Sequence, residues 1–231
     1  MNTLGSGRVA KILDKLHQDA EAADREYFDA TMADIEASGA TLEQFAAKMI
    51  ADERENYRTI YRGYADNFLS VSPTYGRFLY AIARSCKARR IVEFGTSMGI
   101  STIYLAAALR DNGGGHLIGS ELEPTKSVRA RANLDAAGFA DLVDIREGDA
   151  LETLGDVGGE IDLLLLDGAF ALYLPVLKLV ERGLKPGAVV LGENAFEPEY
   201  LEHVRDPANG YVSQPLPIEE GRGNEFTVRI A

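Results

Sequence analysis

Apolar residues recur at helical spacing from Arg8 to about Leu69: Val9, Ile12, Leu13 and Leu16 make one stripe, and Leu42, Phe45, Ala46, Met49 and Ile50 make another. Gly39 interrupts the pattern. Thr41 follows with Gln44 three residues on, a capping-box arrangement that satisfies the free amides of a new helix, so a second helix is expected to start there. Farther along, Tyr57, Tyr61 and Tyr64 fall at intervals of four and three, which places their rings on one helix face. Such a stripe favours burial against the rest of the molecule or a second copy over a substrate lid, because aromatic area is what those contacts use.

Beyond Ser72-Pro73 short apolar runs alternate with helical stretches, the texture of an α/β domain. Strands are predicted over Arg90–Phe94, 117–121, 142–146, 161–167 and 188–192, with helices between them, among them 100–109 and 172–181. Several of these strands are apolar on both faces, as in a sheet covered by helices on each side. Two more, 211–214 and 225–230, are joined by the polar, glycine-containing stretch 219–224 and predict a closing hairpin. The chain is therefore expected to divide into a helical extension over 1–69 and an α/β domain over 70–231.

Composition narrows the partners. With 231 residues, 46% hydrophobic and 26% charged, the chain has ordinary globular composition. A net charge of −12 argues against nucleic acid, because gripping phosphates needs a basic surface that releases counterions. One cysteine, Cys86, excludes an internal disulfide framework, and with three scattered histidines it does not assemble a zinc site of the usual kind. A reducing cytoplasm is the expected location. The opening MNTLGSGRVAKILDKLHQ holds no apolar stretch of signal-peptide length, and runs such as 163–166 are too short to span a bilayer, so a soluble, non-exported chain with no membrane partner is expected.

In an open parallel α/β sheet, ligands bind at the carboxyl ends of the strands near the point where strand order reverses. The first strand ends in Val92-Glu93-Phe94-Gly95 and runs through Thr96-Ser97-Met98-Gly99 into a helix near Ser101, a glycine turn whose backbone amides point at a ligand. The second ends in Glu121, the third is followed by Gly148-Asp149-Ala150, the fourth ends in Asp167-Gly168, and the fifth ends in Glu193-Asn194. Each strand thus delivers a carboxylate to one edge. A single acid at such a position is as readily a helix N-cap or a solvated turn. Gathered together, they repel one another and a pyrophosphate, and suit a cationic ligand with a ribose diol or a metal ion.

VEFGTSMGIST, the acidic end of SELEP, the EGDA turn and LLLLDGAF followed by KPGAVVLGEN together resemble class I S-adenosylmethionine-dependent O-methyltransferases of the catechol and caffeoyl-CoA O-methyltransferase type, from about Val71 onward. The resemblance implies a Rossmann-like fold: a mostly parallel seven-stranded sheet with helices on both faces, carrying the N-terminal helical extension, in a homodimer. It further implies that Glu93 and the turn Gly95, Thr96, Ser97 and Gly99 cradle the methionine part of the methyl donor, with Ser101 bonded to its carboxylate. Glu121 would accept from both ribose hydroxyls, a task suited to two acceptor oxygens. Asp149 and Ala150 would line the adenine pocket, Val71 would flank the donor on the substrate side, and Asp167 would stand beside it.

The same resemblance implies a metal site at Asp167, Glu193 and Asn194, where all-oxygen ligation favours Mg2+, with Mn2+ or Ca2+ as substitutes. Glu193 stands where the family has aspartate, which lengthens the arm by one methylene. A second departure is Asp167-Gly168-Ala169-Phe170, where the family carries a lysine as candidate general base. Phenylalanine takes no proton. Deprotonation would then rest on metal-lowered acidity at Asp167, on an acidic substrate, or on another side chain, of which Tyr173 is the nearest. The implied reaction is direct methyl displacement onto a hydroxyl of a small phenolic or catechol-like acceptor, with positioning supplying most of the rate.

Three rival readings are weighed against this one. A nicotinamide-dependent oxidoreductase would also place Glu121 after a glycine turn, but Gly95 to Gly99 lacks the G-x-G-x-x-G spacing. Phe170 and Glu193 keep open a methyltransferase-like binding subunit without turnover. A tRNA hydroxyuridine O-methyltransferase is disfavoured by the acidic charge. Acceptor specificity is expected from the N-terminal helices, the loop 195–200 and the stretch from Arg222 to Asn224.

Overall fold

The computed structural model describes residues 2–219 and 223–231. Arg222, expected to influence specificity, lies outside the described residues. Seven strands, β1 (Arg90–Phe94), β2 (His116–Glu121), β3 (Val143–Glu147), β4 (Ile161–Leu166), β5 (Leu184–Gly192), β6 (Tyr211–Pro215) and β7 (Glu225–Arg229), form one sheet in the order β3-β2-β1-β4-β5-β7-β6. The first five run parallel, so their carboxyl ends share one edge. The expected C-terminal hairpin forms, and its second strand, β7, is the one that docks antiparallel on β5. β5 begins before its apolar run, because Lys185-Pro186-Gly187 lies at the less buried end of the strand.

Eight α-helices surround the sheet among the described residues: α1 (Gly7–Ser38), α2 (Leu42–Gly63), α3 (Pro73–Ser85), α4 (Ile100–Asp111), α5 (Pro124–Ala137), α6 (Ala150–Thr153), α7 (Tyr173–Val180) and α8 (Pro198–Arg205). α1 stops at Gly39, whose φ of 66° suits the left-handed cap, and both bonds of the Thr41–Gln44 capping box open α2. α2 is not continuous. Asn56 leaves helical geometry (φ −158°, ψ 56°), and its side chain accepts from Thr59 N at 3.3 Å, restarting the helix beyond the kink.

Period-two alternation along β1 sends Ile91 into one apolar layer and Val92 into the other. The first layer packs α3, α4 and α5 on the sheet, and α1 joins it through Val9, Leu13, Leu16 and Ala20. The second packs α6, α7 and α8 on the opposite face. Among the described residues no helix is long and apolar enough to cross a membrane.

Candidate active site

The order of the sheet reverses between β1 and β4, and the strand ends there come unusually close. A Cβ on Gly95 would lie 2.0 Å from the Asp167 carbonyl oxygen, and its φ of 94° is one that other residues rarely adopt. Below this turn Glu93 is fully buried and accepts from Thr96 Oγ1 at 3.1 Å, Ser101 Oγ at 2.7 Å and Thr102 Oγ1 at 2.6 Å. Burial pushes its carboxyl up, and the three hydroxyls pull the other way.

Two of the expected donor-binding residues are held beneath the turn: Glu93 braces it from below, and the Ser101 hydroxyl donates to Glu93. Thr96 is buried with them, while Gly99 supplies the left-handed cap of α4 at φ 85°. Ser97 crosses the turn at φ 48°, donating its N–H to Glu121 Oε2 at 2.6 Å and its hydroxyl to the Phe68 carbonyl at 2.6 Å.

Gly95, Glu121, Asp149 and Ala150 line one cavity together, with Tyr57 and Tyr61 of α2 on its wall. Glu121 Oε1 accepts from Glu123 N at 2.8 Å, so each carboxylate oxygen holds one backbone amide and keeps a lone pair for a diol. Burial raises its carboxyl, opposed by those amides and by Lys126. Asp149 caps α6 through Leu151 N at 3.0 Å, while its Oδ2 accepts from Tyr57 Oη at 2.5 Å and Arg58 Nε at 2.8 Å. Burial alone would raise the Asp149 carboxyl, but these bonds outweigh it and hold it below the ordinary aspartate range. Val71 is not brought here: it is buried in the core and lines a separate cleft along α1 with Asp24 and Ser70.

A second cavity of about 350 Å³ opens beside the first. Its walls include Tyr27, Phe28, Met32, Phe45 and Met49 from α1 and α2, with Phe170 and Phe196 opposite, and it is also lined by Asp167, Glu193 and Asn194. Leu166 and Gly192 are partners across β4 and β5, which puts the Asp167 and Glu193 backbones side by side at the sheet edge. Two carboxylates and an amide oxygen in one cavity are a donor set that fits a hard divalent cation. Among the described residues no cluster of three or more His, Cys, Asp or Glu converges on a metal; the set here is two acids and an amide.

Tyr173, the expected replacement base, lies in the core. It is fully enclosed, lines neither cavity, and donates its hydroxyl to the Glu193 carbonyl at 2.5 Å. It braces the end of β5.

Nothing in the spacing of apolar positions marks α2 as carrying chemistry, yet it supplies the remaining contacts. Glu53 is fully buried; its Oε1 accepts from Tyr61 Oη at 2.8 Å and its Oε2 from Ala171 N at 2.9 Å. Tyr57 and Tyr61 pack on the α/β core while Tyr64 meets Tyr27 of α1, and Tyr61, like Gly168, lines both cavities. The spacing Glu53, Tyr57, Tyr61, four residues apart each time, was the available signal.

Residues 92–195 match the family model described as a methyltransferase domain. The chain is 35% identical over 132 residues to a catechol O-methyltransferase of Niastella koreensis, spanning 55% of this chain and 59% of that protein. It is 28% identical over 158 residues to caffeoyl-CoA O-methyltransferase 1 of Zea mays, spanning 61% and 60%. The chain thus covers about three fifths of the length of these curated relatives. Its fold is similar to that of an O-methyltransferase from Bacillus cereus in complex with SAH, at a TM-score of 0.65 and 22% identity over 79% of this chain and 90% of that one.

Proposed function

We propose that this chain, which resembles O-methyltransferases of the catechol and caffeoyl-CoA type in sequence and a class I methyltransferase in fold, transfers a methyl group from S-adenosylmethionine to a hydroxyl of a small phenolic or catechol-like acceptor. The methyl donor enters at the cavity of Glu121 and Asp149, which encloses about 50 Å³ with Tyr57 and Arg58 closed on Asp149 and so must widen to admit it; its ribose would lie on Glu121, its adenine beside Asp149 and Ala150, and its methionine part along the turn from Gly95 to Gly99. The acceptor occupies the aromatic cavity walled by α1 and α2. The observation that carries this reading is that the two cavities share Tyr61 and Gly168 at the point where strand order reverses. A sulfonium beside an acidic strand edge is favourably placed, and an oxygen in the neighbouring cavity can reach its methyl group.

Chemistry then requires orientation and exclusion of water. The acceptor oxygen forms a bond to the methyl carbon as the carbon–sulfur bond breaks, the electron pair stays on sulfur, and S-adenosylhomocysteine leaves. Asp167, Glu193 and Asn194 would hold Mg2+, with Mn2+ or Ca2+ as substitutes; when bound, the ion acidifies and orients the acceptor hydroxyl. Among the described residues lining either cavity there is no Lys or Arg, which favours an uncharged acceptor over a phosphate-bearing one such as a coenzyme A thioester or tRNA. A homodimer in the cytoplasm completes the reading; the lone Cys86 suits a reducing compartment.

Isothermal titration with S-adenosylmethionine and S-adenosylhomocysteine, followed by mass spectrometry of a phenol panel with and without Mg2+, tests the proposal. Donor binding with one methyl added to a hydroxyl is expected. No heat of binding at millimolar donor would overturn it.

A further inference from the structure

Phe170 stands in the loop after β4 at the position expected to carry a lysine base, and Tyr173 turns its hydroxyl into the core. α2 supplies what that loop lacks. Tyr61 forms part of the wall where the two cavities meet, and its hydroxyl donates to Glu53 Oε1 at 2.8 Å. The other Glu53 oxygen is held at 2.9 Å by Ala171 N, one residue past Phe170, so the carboxylate is anchored to the same loop that carries Asp167.

A fully buried carboxylate is expensive to keep for packing alone, because an apolar side chain of similar volume would stabilise the same place at less cost. Tyr64, the residue that caps the end of α2, offers a contrast: its hydroxyl donates to the Tyr27 hydroxyl at 3.5 Å, whereas the Tyr61 hydroxyl donates to a carboxylate.

Resting on the methyl-transfer reading, we propose that Tyr61 is a catalytic residue and Glu53 its positioning partner: Tyr61 Oη takes the proton of the acceptor hydroxyl while passing its own proton to Glu53 Oε1. The acceptor oxygen bonds the methyl carbon, sulfur keeps the electron pair of the broken bond, Tyr61 ends neutral, and Glu53 ends as the carboxylic acid. Burial, which raises the Glu53 carboxyl, improves it as the terminal acceptor of this relay.

The test compares two acceptors of nearly equal shape and different acidity, catechol and nitrocatechol, in wild type, Tyr61→Phe and Glu53→Gln. General-base assistance supplies about 10²- to 10⁴-fold, so each variant is expected to lose about 100-fold in kcat with catechol and under about fivefold with the acidic analogue, which arrives ionised. Because both losses are measured on the same preparation, damage to folding affects them equally and cancels from the ratio. Equal losses on the two acceptors in either variant would overturn the relay while leaving the methyl-transfer reading intact. Wild-type protein that methylates neither these phenols nor any other hydroxyl would overturn both.

Discussion

Tyr57 donates its hydroxyl to Asp149 Oδ2 across 2.5 Å, tying the second half of α2 to the residue that caps α6. Burial and this bond push the Tyr57 hydroxyl up to about 12, so it stays protonated and holds the contact at any working pH. Arg58 adds a charged contact to the same oxygen. The acid proposed to receive the adenine is therefore already engaged by the helix that walls its cavity.

If the adenine must share that oxygen, releasing it should help the methyl donor. Tyr57→Phe is expected to tighten S-adenosylmethionine binding by about three- to tenfold, the worth of one net hydrogen bond, as measured by isothermal titration. A weaker affinity would instead make Tyr57 part of the adenine wall.

Glu93 satisfies three buried hydroxyls beneath the glycine turn. Glu93→Ala strands all of them and should destabilise by about 2–4 kcal/mol, read from urea denaturation, with Glu93→Gln losing distinctly less because it refills the space and keeps bonding capacity. An alanine variant as stable as wild type would remove the bracing role.

His17 of α1 meets Tyr104 of α4, with Nε2 and Oη 3.0 Å apart, and burial lowers its pKa, with Arg77 acting in the same direction and Asp14 opposing. A folded-state pKa below the ordinary value of 6.5 means that the native protein binds fewer protons than the unfolded chain just below that pH. Stability should therefore fall as pH drops below about 6.5 and recover on raising it, and His17→Gln should flatten that part of the profile. Urea midpoints between about pH 7 and pH 5 check the slope; a wild-type profile already flat there contradicts the assignment.

The oxygen set of Asp167, Glu193 and Asn194 makes a separate prediction about ions. Chelation should lower turnover and Mg2+ should restore it, while Asp167→Asn should resist restoration because it removes the charge that neutralises the cation. Turnover indifferent to chelator in wild-type protein would leave these residues as substrate-orienting groups.

Strand-end acids were legible because parallel α/β sheets expose those positions by rule, and Glu121, Asp149, Asp167 and Glu193 do reach cavities at one edge. Glu93 was not separable from them. It lies one residue before the end of β1 and points to the interior, where Thr96, Ser101 and Thr102 meet it. Tyr173 and Tyr61 posed the same difficulty in reverse: the nearer one in sequence to Phe170 is enclosed in the core, and the distant one lies on the cavity wall.

By itself the amino-acid order determined what depends on neighbours a few residues away: the capping box at Thr41, the stop at Gly39, and the alternation of strands and helices. Tertiary structure decided which strand of the last hairpin meets β5, which carboxylates face a cavity, and that α2, broken at Asn56, brings Glu53 and Tyr61 to a loop more than a hundred residues away. The reason is physical: local patterns set the conformation of a segment, whereas the direction a polar side chain faces is settled by whichever long-range packing leaves the fewest buried groups without partners.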